Sequence, residues 1–225
     1  MYQPAHFIER DPEALAALMH ESPLATLIRQ GDGELAADVL PLEVERVGEG
    51  WRLLGHVARA NPLWKAADGQ AVLVVFQGPQ AYVTPNWYPS KAEHGKAVPT
   101  WNYAMVQAHG RLRAIEDPAW LEAFVTRLTA RHEAGRAAPW HVADAPVDYL
   151  ASMLRAIVGI EIEVTRIEGK FKLSQNRPAE DRVAVVEGLR ADASEGLQRD
   201  AARTAEAMIE AEARREANTG SGLKT

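Results

Sequence analysis

The spacing of apolar residues along the chain changes from a helical period to an alternating one. Near the start, Leu15, Leu18 and Met19 recur at helical spacing, after an Asp11-Pro12 pair of the kind that opens helices. From residue 24 onward the period becomes two, which predicts strands separated by turn residues. The predicted strands cover residues 24–29, 34–45, 51–58, 71–78, 81–88 and 100–115. Gly78-Pro79 predicts the turn of a hairpin between 71–78 and 81–88.

The helical period returns after the strand at 100–115, in which Gly110 marks a bulge or a close approach of another chain segment. Helices are predicted over residues 117–133, again opened by Asp-Pro, and over 145–159, with Gly159 as the stop signal. Residues 160–175 alternate apolar with polar side chains and predict a last strand with one buried face.

Two further helices are predicted from Pro178 onward, over residues 178–189 and 192–220. Asp192 and Glu195 have the spacing of a capping box at the start of the second one. Its apolar face is thin and consists of Leu197, Ala201, Ala205 and Met208. Because so weakly apolar a helix gains little alone in water, we expect it to pack on another subunit or on the strands.

These elements predict a mainly β, α+β fold: a closed antiparallel barrel with peripheral helices, without a β–α rhythm or an internal repeat. We expect one domain over residues 1–177. We expect a C-terminal helical extension of the same domain over 178–218, and a flexible tail over 219–225.

The composition limits the classes of function. The chain has 225 residues, 47% of them hydrophobic, and a formal net charge of −6, which does not attract nucleic acid or anionic membranes. It contains no cysteine, so disulfides, thiolate metal sites and cysteine nucleophiles are excluded. No secretory signal pattern and no apolar run of about 18 residues occurs. We therefore expect a soluble, cytoplasmic protein.

Familiar chemical motifs are missing as well. The seven histidines have no metal-ligand spacing, and no metal site is predicted. Dinucleotide, P-loop and serine-elbow glycine motifs do not occur either.

Three stretches nevertheless combine polar and aromatic residues in patterns that suit a ligand. In "GHVARANPLWK", His56, Arg59 and Asn61 suit an anion seat, or equally a strand-to-helix turn in which Asn61 is the N-cap. The long loop 84–101 holds three prolines and two tryptophans and leads into Trp101, Asn102 and Tyr103. Those residues suit the pocket of a planar ligand, or filling of the core.

The third stretch is "GKFKLSQNR", residues 169–177. Lys170 and Lys172 share one side of the predicted strand, and Gln175, Asn176 and Arg177 follow it. This strand end either meets solvent or binds an anionic, hydrogen-bonding ligand.

Several of these stretches resemble one known family. The segments "GHVARANPLW", "AYVTPNWYPSK", "HGKAVPTWNY" and "AIVGIEIEVTRIEGKFKLSQNR" resemble the PaiB-type FMN-binding negative transcriptional regulators. The resemblance covers about residues 1–190. That family is similar to the flavin reductase and pyridoxamine-phosphate oxidase split barrels, which dimerise and bind FMN at the subunit interface. The resemblance therefore implies a split-barrel flavoprotein, a homodimer, and FMN as the cofactor.

The resemblance also implies roles for individual residues. His56, Arg59 and Asn61 would lie near the phosphate. The walls of the flavin site would be formed by Thr84, Pro85, Trp87 and Tyr88, and its closure by Trp101, Asn102 and Tyr103. Lys172, Gln175 and Arg177 would face the ring or a substrate. Gln175 stands where the oxidases have proline, and their Glu-Phe-Trp does not follow, which argues against pyridoxamine-phosphate oxidation.

Three functions remain open at this point. The first is an FMN-binding protein with or without flavin-dependent oxidoreductase activity, whose catalytic residues are unknown; His56 and His109 are the titratable candidates. The second is a DNA-binding regulator without flavin, although residues 178–218 hold ten acidic residues against six arginines, which argues against phosphate contacts there. The third is a haem-handling split barrel that uses His56, His94 or His109.

Overall fold

The structure is a computed structural model that describes residues 1–31, 33–192 and 200–221. Within these ranges the side chains of His94 and of residues 218–221 are not described. The α-helices are α1 (Pro12–Glu21), α2 (Leu63–Ala66), α3 (Lys91–His94), α4 (Pro118–Glu133), α5 (Val147–Arg155), α6 (Ala179–Ala191) and α7 (Ala201–Ser221). The strands are β1 (Ile8–Glu9), β2 (Leu24–Gly31), β3 (Glu34–Pro41), β4 (Glu43–Val47), β5 (Gly50–Ala58), β6 (Ala71–Val83), β7 (Thr100–Ile115) and β8 (Ile157–Lys172). Short 3-10 turns lie at Ala5–Phe7, Pro85–Trp87 and Val142–Asp144.

The eight strands form one sheet in the order β3-β2-β6-β7-β8-β5-β4, and β1 pairs with β8. The pairings of β2 with β3 and β6, of β5 with β4 and β8, and of β1 with β8 are antiparallel. The register places Thr26 opposite Val75 and His56 opposite Gly159. The predicted antiparallel, mainly β fold with peripheral helices is confirmed.

The chain divides into two compact units, and strands β6, β7 and β8 each contribute residues to both. Unit 1 comprises Met1–Leu18, Gln77–Val106 and Glu168–Thr225. Unit 2 comprises Met19–Phe76 and Gln107–Ile167. In unit 2, alternate strand residues and the inner side of α4 form the core, which includes Leu27, Leu53, Val74, Leu112, Phe124 and Ile160. In unit 1 the core includes Leu15, Val83, Val106, Leu173, Val185 and Leu189.

The two Asp-Pro pairs open helices as predicted. The Asp11 carboxylate accepts a hydrogen bond from the backbone N–H of Glu13 at 3.1 Å, and α1 begins at Pro12. Asp117 accepts from the N–H of Ala119 at 3.0 Å and caps α4. Both carboxylates satisfy N–H groups that the first helical turn leaves without a partner.

The long strand β7 also has its predicted bounds. Ala104, Val106, Ala108 and Gly110 lie on its buried face. A Cβ atom at Gly110 would lie 2.4 Å from the Glu163 carbonyl oxygen, so glycine permits the close approach that the sequence indicated.

The predicted hairpin at Gly78-Pro79 is wrong, because β6 runs through both residues without a turn. Gly78 is required for packing instead: a Cβ there would lie 2.9 Å from Leu18 Cδ1 and 3.1 Å from the Ala104 carbonyl oxygen. The predicted strand 81–88 accordingly ends at Val83, and Pro85–Trp87 form a 3-10 turn.

Two other predicted elements are also corrected. The strand predicted over 34–45 is interrupted at Leu42, whose N–H leaves the ladder and donates to the Pro23 carbonyl. The helix predicted over 145–159 ends at Arg155, since Ile157 already pairs with Ala58 of β5. Gly159 is no helix stop; a Cβ there would lie 2.3 Å from the Trp120 ring, so glycine makes room for the indole.

The C-terminal helices pack within unit 1. Ala201, Ala205 and Met208 of α7 are buried, and the Met208 sulfur contacts the Asn102 amide of β7; packing of this helix on another subunit stays a prediction. Glu195 and Leu197, and with them the predicted capping box, lie outside the described residues, as do residues 222–225 of the predicted tail. None of the described helices has both the length and the apolar character needed to cross a bilayer.

Candidate functional site

Unit 1 brings together the beginning of β7 and the end of β8. The Lys172 ammonium group donates to Thr100 Oγ1 at 2.6 Å and to the carbonyl oxygen of Trp101. Sheet neighbours thereby place a half-buried cation beside the aromatic residues that begin β7. The sequence predicted these two stretches as separate candidates, and tertiary pairing joins them.

The cations of this region lie against aromatic rings. The Lys170 Nζ atom is 5.4 Å from the Tyr103 ring centroid and 5.6 Å from that of Tyr2. The Arg177 guanidinium carbon lies 4.5 Å from the Tyr88 ring centroid. Such cation–π contacts hold a positive charge in place without neutralising it. We call Lys170, Lys172 and Arg177 the cationic cluster.

The surroundings of Lys172 disfavour its positive charge. Burial lowers the pKa of Lys172, and the neighbouring positive charges of Lys170 and Arg177 lower it further. Within the described ranges, no carboxylate forms an ion pair with any of the three residues. An anion entering the cluster would therefore relieve repulsion between like charges.

Trp101 is a partly exposed aromatic side chain at the beginning of β7. It is 38% exposed, and Tyr82 contacts its ring edge to face at a centroid distance of 6.2 Å. A partly exposed indole that a second ring holds in place offers a flat apolar surface to a planar ligand.

Two predicted site residues make their hydrogen bonds inside the chain. Asn102 is fully buried, and its amide contacts the Ser174 hydroxyl and the Met208 sulfur. The Gln175 amide accepts from the Leu173 N–H at 2.7 Å and donates to the Phe171 carbonyl at 2.5 Å, which closes the turn after β8. These contacts account for both amides, and their role toward a ligand stays a prediction.

The predicted wall residues lie on the loop that follows β6. The Thr84 hydroxyl accepts from the Asn86 N–H and caps the 3-10 turn, in which Pro85 occupies the first position. Trp87 packs against Gly188 of α6, and Tyr88 is only 3% exposed. Burial raises the pKa of Tyr88, and the charge of Arg177 opposes that shift.

The first predicted stretch lies in unit 2, where Arg59 makes three hydrogen bonds within the chain. Its guanidinium donates to Glu116 Oε2 at 2.5 Å, to the Arg155 carbonyl at 2.7 Å and to the Ile157 carbonyl at 3.2 Å. The Trp64 indole N–H donates to the carbonyl of Arg59 itself at 3.0 Å. The arrangement ties together three chain segments, and a phosphate would have to compete with Glu116 for this guanidinium.

The neighbours of Arg59 are also accounted for locally. The Asn61 side chain accepts from the Leu63 N–H at 2.9 Å, as in the turn reading of this stretch. The His56 ring meets Phe124 edge to face at 5.9 Å, and burial lowers the pKa of His56. The phosphate role of His56, Arg59 and Asn61 stays a prediction that these contacts do not favour.

Sequence reasoning missed several residues of the unit 1 site. Thr100, Tyr82 and Tyr2 contact its cations or aromatic rings, and Asp181 accepts two hydrogen bonds from Ser90. The period-two spacing of Lys170 and Lys172 was a usable signal for a shared face. Nothing in the sequence indicates the contacts of Tyr2 or Asp181, because both depend on distant chain segments.

Comparison with protein families gives one match over most of the chain. The model described as "Putative FMN-binding domain" matches residues 1–166. The protease synthase and sporulation protein PAI 2 of Bacillus subtilis is 33% identical over 190 residues, which cover 84% of this chain and 89% of that protein. An uncharacterised Aspergillus fumigatus protein is 33% identical over 218 residues, which cover 81% of this chain and 84% of that protein.

Solved structures share the fold at lower sequence identity. The flavocytochrome Anf3 of Azotobacter vinelandii aligns with a TM-score of 0.57 and 18% identity, over 79% of this chain and 75% of that chain. The FAD and haem binding protein of Mycobacterium smegmatis aligns with a TM-score of 0.56 and 20% identity, over 79% of this chain and 78% of that chain. At these identities the likeness concerns the fold alone, and it confirms the split-barrel fold class.

Proposed function

Since the chain belongs to the PaiB-type family of FMN-binding domains, we propose that it binds FMN in unit 1, at the cationic cluster and the aromatic residues beside it. The observation that carries this proposal is the group of three cations, Lys170, Lys172 and Arg177, held against aromatic rings with no carboxylate partner in the described part of the chain.

The chemistry of this donor set fits FMN. A phosphate dianion is matched by lysine ammonium groups and a guanidinium, which donate charge-assisted hydrogen bonds. A planar ring is matched by the exposed face of Trp101, which Tyr82 supports. Arg59 fits less well, because Glu116 already neutralises it.

Bound FMN would supply hydride- and electron-transfer chemistry, while the protein supplies position and electrostatics. Lys172, held by Thr100 and the Trp101 carbonyl, would bind the phosphate from a fixed position. Lys170 and Arg177 would add the positive charge that favours an anionic ligand. Trp101 and Tyr103 would bind the ring and exclude water from one of its sides.

The proposal extends to regulation and assembly. The name of the Bacillus relative refers to protease synthesis and sporulation. We assign a regulatory role to this chain in which the flavin-bound state is the signal. Direct DNA binding by residues 178–218 is not part of this role, because that segment carries more acidic than basic groups and does not suit phosphate contacts to DNA. The resemblance further implies a homodimer with the flavin at the subunit interface.

The test compares FMN with riboflavin, which lacks the phosphate. Flavin absorbance and fluorescence titrations should show that FMN binds at least about tenfold more tightly than riboflavin, and that added salt weakens FMN binding. Lys172→Met should reduce this preference markedly, while Lys170 and Arg177 retain part of it. Lys65→Met is the matched control in unit 2, because Lys65 lies over an aromatic ring, 4.9 Å from the Trp64 centroid, as Lys172 lies 5.9 Å from that of Phe7. Equal affinity for both flavins, or an unaltered Lys172→Met variant, contradicts the proposal.

A further inference from the structure

A buried hydrogen-bonded pair joins α6 to the loop after β6. Asp181 is fully buried and Ser90 is 7% exposed. The Ser90 N–H donates to Asp181 Oδ1 at 3.1 Å, and the Ser90 hydroxyl donates to Oδ2 at 2.7 Å. Both carboxylate oxygens therefore accept a hydrogen bond, as buried polar groups require. The pair fixes the end of the loop on the first turn of α6.

A second contact joins the same helix and loop. A Cβ atom at Gly188 would lie 2.4 to 2.7 Å from the Cδ2, Cε2 and Cγ atoms of the Trp87 indole. Glycine inside a helix is unfavourable relative to alanine, so its presence in α6 calls for a reason. The reason is steric, because the indole occupies the volume that any side chain at residue 188 would need.

Tyr88 lies in the loop between these two contacts. Its buried ring supports the Arg177 guanidinium at 4.5 Å. Trp87 and Ser90 are anchored on α6, so the position of Tyr88 depends on the helix, and the position of Arg177 depends on Tyr88. Arg177 is one of the three cations proposed to bind FMN.

We infer that α6 is a positioning element of the flavin site, in which Asp181 and Gly188 hold Ser90 and Trp87 and thereby set Tyr88 and Arg177. This inference rests on the proposed function. α6 begins at Ala179, beyond the residues 1–166 that the family match covers, so the site extends past the matched domain. Because coupling between binding and conformation is reciprocal, FMN stabilises the packing of α6 on this loop.

The first test is a double-mutant cycle at the indole contact. Gly188→Ala should weaken FMN binding about tenfold in fluorescence titrations, because the indole must move. In the Trp87→Ala background the same substitution should have no further effect on affinity, since the Cγ, Cδ2 and Cε2 atoms that clash with a side chain at residue 188 are absent. Glu187→Ala is the control on the same helix, because it alters an exposed neighbour. A penalty from Gly188→Ala that persists without the indole overturns the inference.

The second test uses the buried carboxylate. Asp181→Asn keeps one oxygen that can accept from the Ser90 N–H, and Asp181→Ala keeps none. FMN affinity should fall in the order wild type, Asp181→Asn, Asp181→Ala. Ser90→Ala, which removes only the hydroxyl, should resemble Asp181→Asn and serves where Asp181→Ala does not fold. Equal FMN affinity in wild type, Asp181→Asn and Ser90→Ala overturns the inference.

A third readout separates this inference from the proposed function. Hydrogen exchange of α6 amides in the wild-type protein should slow when FMN is added, and Gly188→Ala should reduce that protection. A wild-type protein that does not bind FMN contradicts the proposed function and this inference together. A wild-type protein that binds FMN without any change in α6 exchange contradicts this inference alone.

Discussion

The Ser174 hydroxyl contacts both ends of the Asn102 amide, lying 2.9 Å from Nδ2 and 3.1 Å from Oδ1. The two residues are 72 positions apart in the chain, and both are buried. Ser174 has a φ of +67°, a left-handed backbone conformation that residues other than glycine seldom adopt. The hydrogen bonds thus hold a strained turn after β8 against the beginning of β7.

Substitution of Ser174 should separate backbone strain from hydrogen bonding. Ser174→Ala loses the hydroxyl and keeps the strain, so we expect it to lower the free energy of unfolding by about 1–3 kcal/mol. Ser174→Gly also loses the hydroxyl but suits positive φ, and should be about 1 kcal/mol more stable than Ser174→Ala. Urea unfolding of both variants measures the difference. An alanine variant as stable as the glycine variant would show that the turn is not strained.

The buried Thr204 hydroxyl should contribute nothing to stability. Thr204 is fully buried in α7, and its hydroxyl has no hydrogen-bond partner among the described residues. Thr204→Val replaces that hydroxyl by a methyl group of the same shape, so the free energy of unfolding should stay constant or rise by up to about 1 kcal/mol. Thr204→Ser, which keeps the hydroxyl and removes the methyl group, should be less stable than wild type. If Thr204→Val lowers the free energy of unfolding more than Thr204→Ser does, the hydroxyl contributes to stability and this prediction is wrong.

Arg59 should matter for stability more than for flavin binding. Its guanidinium joins Glu116 to two backbone carbonyls, and Arg59→Gln breaks all three contacts. Because the ion pair is partly exposed, we expect a loss of only about 1 kcal/mol in thermal or urea unfolding. FMN affinity should remain within about twofold of wild type. A larger drop in affinity at unaltered stability would support the phosphate role that the resemblance implies for Arg59.

Stability should fall when the protein is acidified below neutral pH. Burial lowers the pKa of His56 below its ordinary value of 6.5, and burial followed by the charge of Arg131 lowers that of His20, against an opposing effect of Glu43. The unfolded chain therefore binds more protons as the pH falls through about 6.5, so acid favours unfolding until the folded imidazoles also protonate. Urea midpoints measured between pH 7.5 and pH 5.5 check this direction.

His56→Gln tests the assignment of this pH dependence. It should make the urea midpoint less sensitive to pH between those limits, whatever its effect on the absolute stability. His132→Gln, at an exposed position on α4, is the control. A slope unaltered by His56→Gln, or stability that rises on acidification, contradicts the assignment.

Local signals in the sequence determined much of the secondary structure. The Asp-Pro pairs at 11–12 and 117–118 open α1 and α4 because a carboxylate and a fixed φ satisfy the first helical turn by themselves. The alternation from Thr100 to Ile115 specified β7, since one buried face requires one period. The stretches that resemble the PaiB-type family also identified the family correctly.

Only the tertiary structure decided what the punctuating glycines do. In the sequence, Gly78 suggests a turn and Gly159 suggests the end of a helix, yet both lie inside strands. Gly78 makes room for the Ala104 carbonyl, and Gly159 makes room for the Trp120 ring. A glycine needed for close packing and a glycine needed for a turn are identical in the sequence. The neighbour that distinguishes them comes from a distant part of the chain.

The same reason separates the two groups of candidate residues. From sequence, Arg59 and Lys172 were both cations near aromatic residues. The fold brings Glu116 to Arg59 and neutralises it, whereas no carboxylate of the described residues forms an ion pair with Lys172 or its sequence neighbours Lys170 and Arg177, so that cluster stays positive. The sequence determined which chemical groups the protein carries. Long-range pairing decided which charges are compensated, because electrostatic interaction depends on distance in space and not on separation along the chain.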